Sequence, residues 1–347
     1  MAYTTIKKPS DYFNTKLYTG NGSTQSITGV GFAPDLAWIK RRSSTQKHGL
    51  YDAVRGATKV LASDATDAES THDGLTSFDS DGYTLGNIGR TNTSSETYVG
   101  WNWLGANGTA ANTDGTISST VSVNTTSGFS IVSWTGDNSG SATIGHGLGA
   151  IPDVVIIKNR TDAANWGVKH SSMTSGHMAV LNGTDASSDR NGSTNGGIGN
   201  LTSSTTFGFI GGSAGVPEVN GSSDAMIAYC FAEKKGFSKF GSYTGNGNAD
   251  GPFIYTGFKP AFVLQKRSDS TSNWHIFDNK REPENVMDKF LAPNDSAAEG
   301  TATGFDFLSN GFKSRTSSFW NNQSGGTYIY MAFAEQPLVG DNPATAR

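Results

Sequence analysis

The chain has 347 residues, of which 35% are hydrophobic and only 16% are charged, and its formal net charge is −4. This charge gives no electrostatic basis for binding nucleic acid or an anionic membrane, and no apolar run approaches the ~20 residues that cross a bilayer. The single cysteine, Cys230, excludes an internal disulfide bond, and its apolar surroundings predict a buried thiol. The N-terminal segment lacks the apolar core of a secretory signal, so we expect synthesis in a cytoplasm.

The first recurring feature along the chain is a short polar segment that occurs three times and that we call the polar phrase. It reads YTGNGSTQS from Tyr18, WTGDNSGSA from Trp134 and YTGNGNADG from Tyr243. Glycine and asparagine tolerate positive φ, so each copy predicts a tight turn after a strand. The copies are roughly 110 residues apart, far more than the roughly 20–50 residues of a propeller blade or solenoid repeat. Each copy therefore belongs to a domain-sized repeat.

A proline-to-lysine run follows each copy of the phrase. It reads GFAPDLAWIK, GAIPDVVIIK and GFKPAFVLQK, and its first and last landmarks are Pro34 and Lys40, Pro152 and Lys158, and Pro260 and Lys266. The unbroken apolar stretch between them predicts a strand buried on both faces, and proline suits the first residue of a strand. We interpret the lysines as strand-end side chains that reach solvent. A repeated anion site is the alternative.

Further landmarks keep the same order in the three copies. They are an aromatic residue or histidine paired with an apolar residue (KHGLYD, NWGVKH, NWHIFD), a loop near Leu61, Leu181 and Leu291, and a closing strand (YVGWNWLG, MIAYCFAE, YIYMAFAE). The tetrapeptides DSDG at 79–82 and LSNG at 308–311 predict hairpin turns. The only helical turn is predicted at 284–291.

Together with 44 glycines, these patterns predict an all-β fold. We expect three tandem repeats, each a β-sandwich of jelly-roll or lectin-like character with about 100 residues. The predicted boundaries are an N-terminal arm at 1–12, repeats at 13–106, 128–234 and 236–338, a linker at 107–127 and a C-terminal tail at 339–347. The linker is long and polar, so we expect it to flex.

The sequence contains no recognisable catalytic pattern. The histidines lack the spacing of a helical zinc motif, and neither a nucleophile elbow nor a phosphate-binding loop is present. Calcium in the DSDG turn is disfavoured because Asp81 is replaced by Asn310 in the third copy. A glycan hydrolase needs carboxylates about 5–9.5 Å apart, and no pattern selects such a pair. We therefore expect no catalytic residues, no metal and no cofactor.

Candidate ligand-binding residues lie in SRTSSFWNNQSGGT, the most irregular stretch of the third copy. They combine a ring that could stack on a sugar, amides that could bind its hydroxyls and an arginine for an acidic sugar, and they are Arg315, Phe319, Trp320, Asn321, Asn322 and Gln323. Trp320 is the best candidate for an exposed ring. The alternative is that Trp320 packs into the end of the sandwich or into an oligomer contact.

The phrases taken together resemble the repeat-containing virion structural proteins of marine bacteriophages, which are usually labelled tail-fibre proteins. DYFNTKLYTGNGSTQSI, GFAPDLAWIK, SFDSDGYTLG, GFSIVSWTG and TYIYMAFAE carry this resemblance, which extends over about residues 10–338. It implies a tail-fibre or receptor-binding protein of the virion, made in the host cytoplasm, that recognises host surface glycans without catalysis.

The resemblance leaves a second function open, which is a capsid decoration or accessory protein. The absence of heptad repeats for a fibre shaft favours this alternative. In either case we expect other virion proteins as partners, and a homotrimer, since closed symmetry is the norm for oligomers.

Overall fold

The computed structural model describes residues 4–339 and residue 343, and the fold is all-β, as predicted. Residues 1–3 of the predicted arm lie outside the described residues. So does the predicted tail at 339–347, apart from Val339 and Pro343. Among the described residues, no helix is long and apolar enough to cross a membrane.

The first repeat follows a 3₁₀ turn at Pro9–Asp11 and contains nine strands and one short helix. Their bounds are β1 Phe13–Thr19, β2 Gln25–Thr28, β3 Leu36–Arg41, β4 Gly49–Asp52, β5 Lys59–Val60, β6 Ser70–Thr71, β7 Ser77–Asp79, β8 Gly82–Leu85, α1 Gly89–Asn92 and β9 Thr97–Trp103. The main sheet has the order β1-β9-β3-β4, the second sheet has the order β2-β8-β7, and β5 pairs with β6.

The second repeat has a longer main sheet. Its elements are β10 Ala110–Asn112, β11 Ser119–Asn124, β12 Phe129–Thr135, β13 Thr143–Gly145, β14 Val154–Asn159, β15 Gly167–His170, β16 His177–Val180, β17 Ser188–Asp189, β18 Gly197–Ile198, β19 Thr206–Ile210, α2 Pro217–Asn220 and β20 Ala225–Phe231. The main sheet has the order β10-β11-β12-β20-β14-β15-β16-β17, and the second has β13-β19-β18. The segment predicted as a flexible linker at 107–127 thus supplies β10 and β11 to this sheet. The Ser122 hydroxyl also donates to the Asp35 carboxylate at 3.0 Å, which ties the segment to the first repeat.

The third repeat has two four-stranded sheets. Its elements are β21 Ser238–Thr244, β22 Phe253–Tyr255, β23 Phe258–Arg267, β24 Trp274–Asp278, β25 Met287–Phe290, β26 Gly300–Leu308, β27 Gly311–Ser314, α3 Phe319–Asn322 and β28 Thr327–Pro337. The orders are β21-β28-β23-β24 and β22-β27-β26-β25. The helical turn predicted at 284–291 is wrong, because β25 occupies this stretch and pairs with β26.

The same strand order occurs in all three repeats: β1-β9-β3-β4, β12-β20-β14-β15 and β21-β28-β23-β24. In each repeat we call these four strands the first strand, the closing strand, the lysine strand, which contains the landmark lysine, and the aromatic strand, which lies within the landmark KHGLYD, NWGVKH or NWHIFD. The registers also agree, because the residue two places after each landmark proline opposes an aromatic ring of the closing strand. These pairs are Leu36 with Trp103, Val154 with Phe231, and Phe262 with Phe333. Pro34, Pro152 and Pro260 therefore hold equivalent positions. The predicted hairpins at 79–82 and 308–311 are confirmed by the pairing of β7 with β8 and of β26 with β27.

Each main sheet is buried on both faces. In the second repeat, Val155 and Ile157 face a core between that repeat's own two sheets. Val154 and Ile156, on the opposite face, join a core to which all three repeats contribute. The other two repeats have private cores of the same kind. This arrangement explains the unbroken apolar runs of the lysine strands, because neither face of these strands meets water.

Three aromatic rings meet at the centre of the shared core. The ring centroids of Trp103, Phe231 and Phe333 are separated by 6.3, 5.7 and 5.9 Å, so each ring contacts the other two. Each ring holds the equivalent position in the closing strand of a different repeat, so the repeats are related by a pseudo-threefold arrangement. Ile6 of the N-terminal arm is also buried in this core.

The repeats contact one another in a closed ring. At each junction, a loop of one repeat bonds the end of the lysine strand of the next. A backbone N–H of the loop donates to the carbonyl of the residue that lies two positions after the landmark lysine. These bonds run from Glu69 to Arg160 at 2.8 Å, from Ser187 to Ser268 at 2.9 Å and from Glu299 to Arg42 at 2.8 Å. Two of the three junctions add an ion pair between the same residues, Arg160 with Glu69 and Arg42 with Glu299.

A second contact recurs at each junction and differs in its chemistry. The hydroxyl of Tyr229 donates to the buried Asp52 carboxylate at 2.8 Å, and the indole of Trp101 donates to the buried Asp278 carboxylate at 3.0 Å. Each of these carboxylates also pairs with a buried arginine three residues further on. At the third junction, the equivalent of the aspartates is His170, whose Nε2 bonds the backbone carbonyl of Tyr330 at 3.0 Å. The three junctions are therefore equivalent in place and distinct in chemistry.

The landmark lysines do not reach solvent, so their interpretation as solvated strand ends is wrong. Lys40, Lys158 and Lys266 are fully buried. The Lys40 ammonium donates to the carbonyl of Ser296 at 3.1 Å, and that of Lys158 donates to the carbonyl of Thr66 at 3.1 Å, in each case on another repeat. Burial lowers the pKa of each lysine to about 8.

Replacing one ring of the central triangle should destabilise the whole chain. We expect Phe333→Ala to lower the free energy of unfolding by about 3–5 kcal/mol, because a large side chain would leave a cavity where three repeats meet. Phe319→Ala is a matched control on an exposed ring, with an expected change within about 0.5 kcal/mol. Urea denaturation of both variants tests this. Equal losses for the two variants would contradict the shared core.

The buried lysines should make the protein more stable in mildly alkaline solution. Between pH 8 and 10.5 the folded chain has released protons that the unfolded chain still binds, so the free energy of unfolding rises with pH. Urea denaturation between pH 7.5 and 9.5 measures this rise. Lys266→Met should remove part of it, and a flat or falling profile in the native protein would count against buried lysines.

Candidate functional site

The recurring polar phrase is a structural contact. A fully buried asparagine ends each short helix and bonds the phrase of its own repeat. Asn92 Oδ1 accepts the backbone N–H of Asn21 at 2.8 Å, and Asn322 Oδ1 accepts that of Asn246 at 2.8 Å. In the second repeat, Asn220 Oδ1 accepts the indole N–H of Trp134 at 2.8 Å.

The glycine of each phrase is required by a close approach of two backbones. A Cβ atom on Gly20, Gly136 or Gly245 would lie 2.2 Å from the carbonyl oxygen of the residue after the helix-ending asparagine. Any side chain at these positions would displace the short helix. The phrase therefore recurs because each repeat needs the same turn against the same helix.

Two of the predicted ligand-binding residues lie in the short helix and are fully buried, Asn321 and Asn322. The Asn322 amide donates to the carbonyls of Asn248 and Thr316 at 2.7 and 2.8 Å, and the Asn321 amide donates to the carbonyl of Gly304 at 3.2 Å. The Oδ1 atom of Asn321 has no hydrogen-bond partner among the described residues, but it is buried. Neither side chain is therefore on a surface that a ligand could contact.

The segment that contains them is also not peculiar to the third repeat, because α1 and α2 occupy the same place in the other two. A sequence feature marks this helix. The asparagine that ends each helix lies six residues before an equivalent position of the closing strand. The pairs are Asn92 and Tyr98, Asn220 and Met226, and Asn322 and Tyr328. This spacing could have separated the structural amides from candidates for binding.

The remaining four predicted residues are divided between the interior and the surface. The ring of Trp320 is partly buried, with its centroid 4.6 Å from that of His275 and 6.0 Å from that of Phe277. Phe319 and Gln323 are exposed. Arg315 is also exposed, and its guanidinium lies 3.4 Å from the Asp306 carboxylate.

Two exposed aromatic residues near Arg315 were missed by sequence reasoning. Phe253 and Tyr255 of β22 are 46% and 55% exposed, whereas Ile254 between them is buried. The alternation F-I-Y is the pattern that could have found them, since alternate side chains of a strand point to opposite faces. The strand thus presents both rings on the outer face of the second sheet.

These rings are flanked by charged side chains on neighbouring strands. Phe253 lies opposite Lys313, which in turn lies opposite Asp306. The Lys313 ammonium pairs with the Asp250 carboxylate at 2.6 Å. We use the name aromatic face for the surface formed by Phe253, Tyr255, Asp306, Lys313 and Arg315.

Gly311, which lies opposite Tyr255, is required by a close approach of two backbones. A Cβ atom on it would lie 2.1 Å from the carbonyl oxygen of Ile254 and 3.0 Å from the ring of Phe253. The Phe253 ring therefore lies beside the bare backbone of Gly311. Two ion pairs, Lys313 with Asp250 and Arg315 with Asp306, belong to the same surface.

The aromatic face is specific to the third repeat. Ile27, Ile144 and Ile254 are equivalent, because each pairs with an equivalent buried ring on the hairpin strand. The neighbours of these isoleucines are Ser26 and Thr28 in the first repeat, Thr143 and Gly145 in the second, and Phe253 and Tyr255 in the third. Since two repeats form the same sheet without aromatic residues at these two positions, the fold does not require Phe253 and Tyr255.

Burial keeps two histidines and the single cysteine in their neutral forms. Burial lowers the pKa of His170 to about 4 and that of His275 to about 3, so both rings are neutral at physiological pH. Cys230 is buried, as predicted, and burial raises the pKa of its thiol. Within residues 4–339 and residue 343, no group of three or more His, Cys, Asp or Glu side chains is arranged to hold a metal ion.

The chain belongs to the family described as a domain of unknown function (DUF7483), which matches residues 8–337. No curated protein matches the chain. The family match extends over all three repeats, so the closed three-repeat assembly is contained within a single family unit.

Removing the side-chain amide of Asn322, which bonds the polar phrase, should weaken the turn of the third repeat. We expect Asn322→Ala to lower the free energy of unfolding by about 1–3 kcal/mol, because the N–H of Asn246 and two carbonyls would lose their bonds to a side chain that is fully buried. Gln323→Ala, at the adjacent exposed residue, is the control and should change little. Thermal denaturation measures both. Equal melting temperatures for the two variants would show that the hydrogen bonds of Asn322 do not stabilise the fold.

Proposed function

We propose that this protein is a non-catalytic structural protein of a phage virion, of the receptor-binding type, that recognises host surface glycans through the aromatic face. The observation that carries the proposal is the exposure of Phe253 and Tyr255 side by side on a rigid sheet. The assignment to a virion is supported by the resemblance of the repeated phrases to marine phage structural proteins.

The chemistry of the aromatic face suits a sugar ring. The apolar face of a pyranose stacks on flat aromatic side chains, which bury a large area with few rotatable bonds. Lys313 and Arg315 can donate hydrogen bonds to sugar hydroxyls or carboxylates, and Asp250 and Asp306 can accept from hydroxyls. Because the rings stand on a paired strand, little order has to be gained on binding.

A second candidate function is a decoration or accessory protein of the capsid. The pseudo-threefold arrangement favours it, because a body with three equivalent sides complements a threefold position on a shell. Both candidates have other virion proteins as partners, and the homotrimer remains a prediction for either. Immunogold labelling of intact virions separates them, since the first places the label at the tail and the second over the head.

Converting the aromatic face to its counterpart in the first repeat should abolish glycan binding. The double variant Phe253→Ser, Tyr255→Thr reproduces Ser26 and Thr28, so we expect it to fold with a melting temperature within a few degrees of the native value. Binding of the purified protein to an array of bacterial surface polysaccharides should fall to background. The matched control is Ser26→Ala, Thr28→Ala in the first repeat. Native binding by the double variant would overturn this role of the aromatic face.

A further inference from the structure

An open cavity of about 550 Å³ lies where the second repeat meets the loop of the first repeat that contains Thr66. Its wall includes Asn159, at the end of the lysine strand, and residues of the short helix α2 with the turn that follows it. The aromatic face belongs to the third repeat, so the cavity is a separate part of the surface. Comparing it with the other two repeats shows what kind of group it fits.

In the first repeat, an arginine occupies the equivalent place. Arg41 is the counterpart of Asn159, because each directly follows a landmark lysine. The Arg41 guanidinium donates to the hydroxyls of Ser44 and Thr93 at 3.2 and 2.7 Å. It also donates to the backbone carbonyl of Gly89. These three contacts define a guanidinium site in the first repeat.

The third repeat fills the same place in the same way. Arg267 follows its landmark lysine, and its guanidinium donates at 3.4 Å to the carbonyl of Phe319, which begins α3 as Gly89 begins α1. A tyrosine completes the place in both repeats, since the hydroxyls of Tyr98 and Tyr328 donate to these two carbonyls at 3.0 and 2.6 Å. Two repeats thus supply a guanidinium and a phenol of their own.

The second repeat lacks both side chains. It has Asn159 in place of the arginine and Met226 in place of the tyrosine. The Asn159 amide only approaches the equivalent carbonyl, that of Pro217, at 3.4 Å. The three positions that bind the guanidinium in the first repeat correspond here to Asp162, Gly221 and Pro217, and all three line the cavity. The cavity therefore lies where the other two repeats place a guanidinium.

The charge of the cavity wall is complementary to a guanidinium. Among the described residues, the wall contains three carboxylates and no lysine, arginine or histidine, and the carboxylates are those of Asp162, Glu218 and Asp224. Asp162 is exposed and Asp224 is partly exposed. One oxygen of Asp224 accepts the Asn159 amide at 2.7 Å, which leaves its second oxygen for a ligand. The ammonium of Lys158, which lies nearby, donates to backbone carbonyls and offsets only one of the three negative charges.

We propose that this cavity binds an arginine side chain of a partner polypeptide, whose guanidinium takes the place that Arg41 and Arg267 fill in the other repeats. A planar guanidinium with five N–H donors suits a wall of carboxylates and carbonyls. Asp162 and Asp224 accept hydrogen bonds from it. The partner presents this arginine at the junction of the first and second repeats, and the site does not depend on glycan recognition by the aromatic face.

Saturation-transfer NMR with the blocked peptide acetyl-Gly-Arg-Gly-amide at millimolar concentration tests the proposal. The native protein should transfer saturation to the arginine side chain. The same peptide with citrulline, which keeps the shape of arginine without its charge, should bind about fivefold more weakly or not at all. Free L-arginine should also bind more weakly than the peptide, because the acidic wall repels its α-carboxylate. Tighter binding of the free amino acid would overturn the polypeptide partner.

Variants of the second repeat locate the bound arginine. Asn159→Arg copies the other two repeats, so the protein would fill the cavity with its own guanidinium and peptide binding should fall to background. Asp162→Ser copies Ser44 and Ser270 at an exposed position where folding should be unaffected, and it should weaken binding about threefold to fivefold. Asp185→Ser removes the same charge at an exposed position outside the cavity and should bind as the native protein does.

Four results would refute this site. They are the absence of transfer to the arginine peptide, equal binding of the citrulline peptide, undiminished binding by a folded Asn159→Arg variant, and equal weakening by Asp162→Ser and Asp185→Ser. The double variant Phe253→Ser, Tyr255→Thr should bind the peptide as the native protein does. If it lost peptide binding while Asn159→Arg kept it, the arginine would lie on the aromatic face, and this site would be wrong whatever the outcome for glycans.

Discussion

The rest of the structure depends on one constraint, which is that every main sheet is apolar on both faces. A repeat's own second sheet covers one face, as the private cores show. The other face can be covered only by another repeat, and the shared core with its triangle of Trp103, Phe231 and Phe333 is the result. Three sheets that cover one another form a closed ring, so no repeat is a self-sufficient domain. The family match over residues 8–337 has the same extent as this ring.

Closing the ring places polar groups in the interior, where each must find a partner. The buried lysines donate to backbone carbonyls, and Lys40 and Lys158 each reach a carbonyl of another repeat. The buried carboxylates accept from arginine, tyrosine or tryptophan. Buried ion pairs add little net stability, because desolvation offsets the attraction. Their distribution is more informative, since two junctions carry arginine–glutamate pairs and the third has Ser187 and Ser268. We infer that this difference helps to fix which repeat lies beside which.

Local sequence patterns were sufficient to predict the all-β fold, the hairpins at 79–82 and 308–311 and the equivalence of the three prolines. They failed wherever the deciding partner lies far along the chain. The burial of Lys158 depends on a carbonyl of Thr66 in another repeat, and the strand Ser119–Asn124 is stabilised by its pairing with β12. The candidate site was only half predictable for the same reason. Arg315, Phe319 and Gln323 are exposed, but Trp320, the candidate for an exposed ring, is partly buried against the core of the third repeat, in line with the alternative. The burial of Asn321 and Asn322 depends on contacts with segments that the local pattern does not contain.

The internal repetition supplies a control that a single-domain protein lacks. Where all three repeats place an asparagine or a glycine at the same contact, as at the asparagine that ends each short helix, the fold accounts for the residue. Where one repeat departs from the other two, and the departing side chain is exposed or unpartnered, the fold does not account for it. Phe253 and Tyr255 meet this criterion on the surface. Both lie in the third repeat, and their counterparts in the first repeat are Ser26 and Thr28. At these two positions the first repeat shows the residues that the scaffold alone needs, so the two exposed rings are what the proposed glycan ligand would explain.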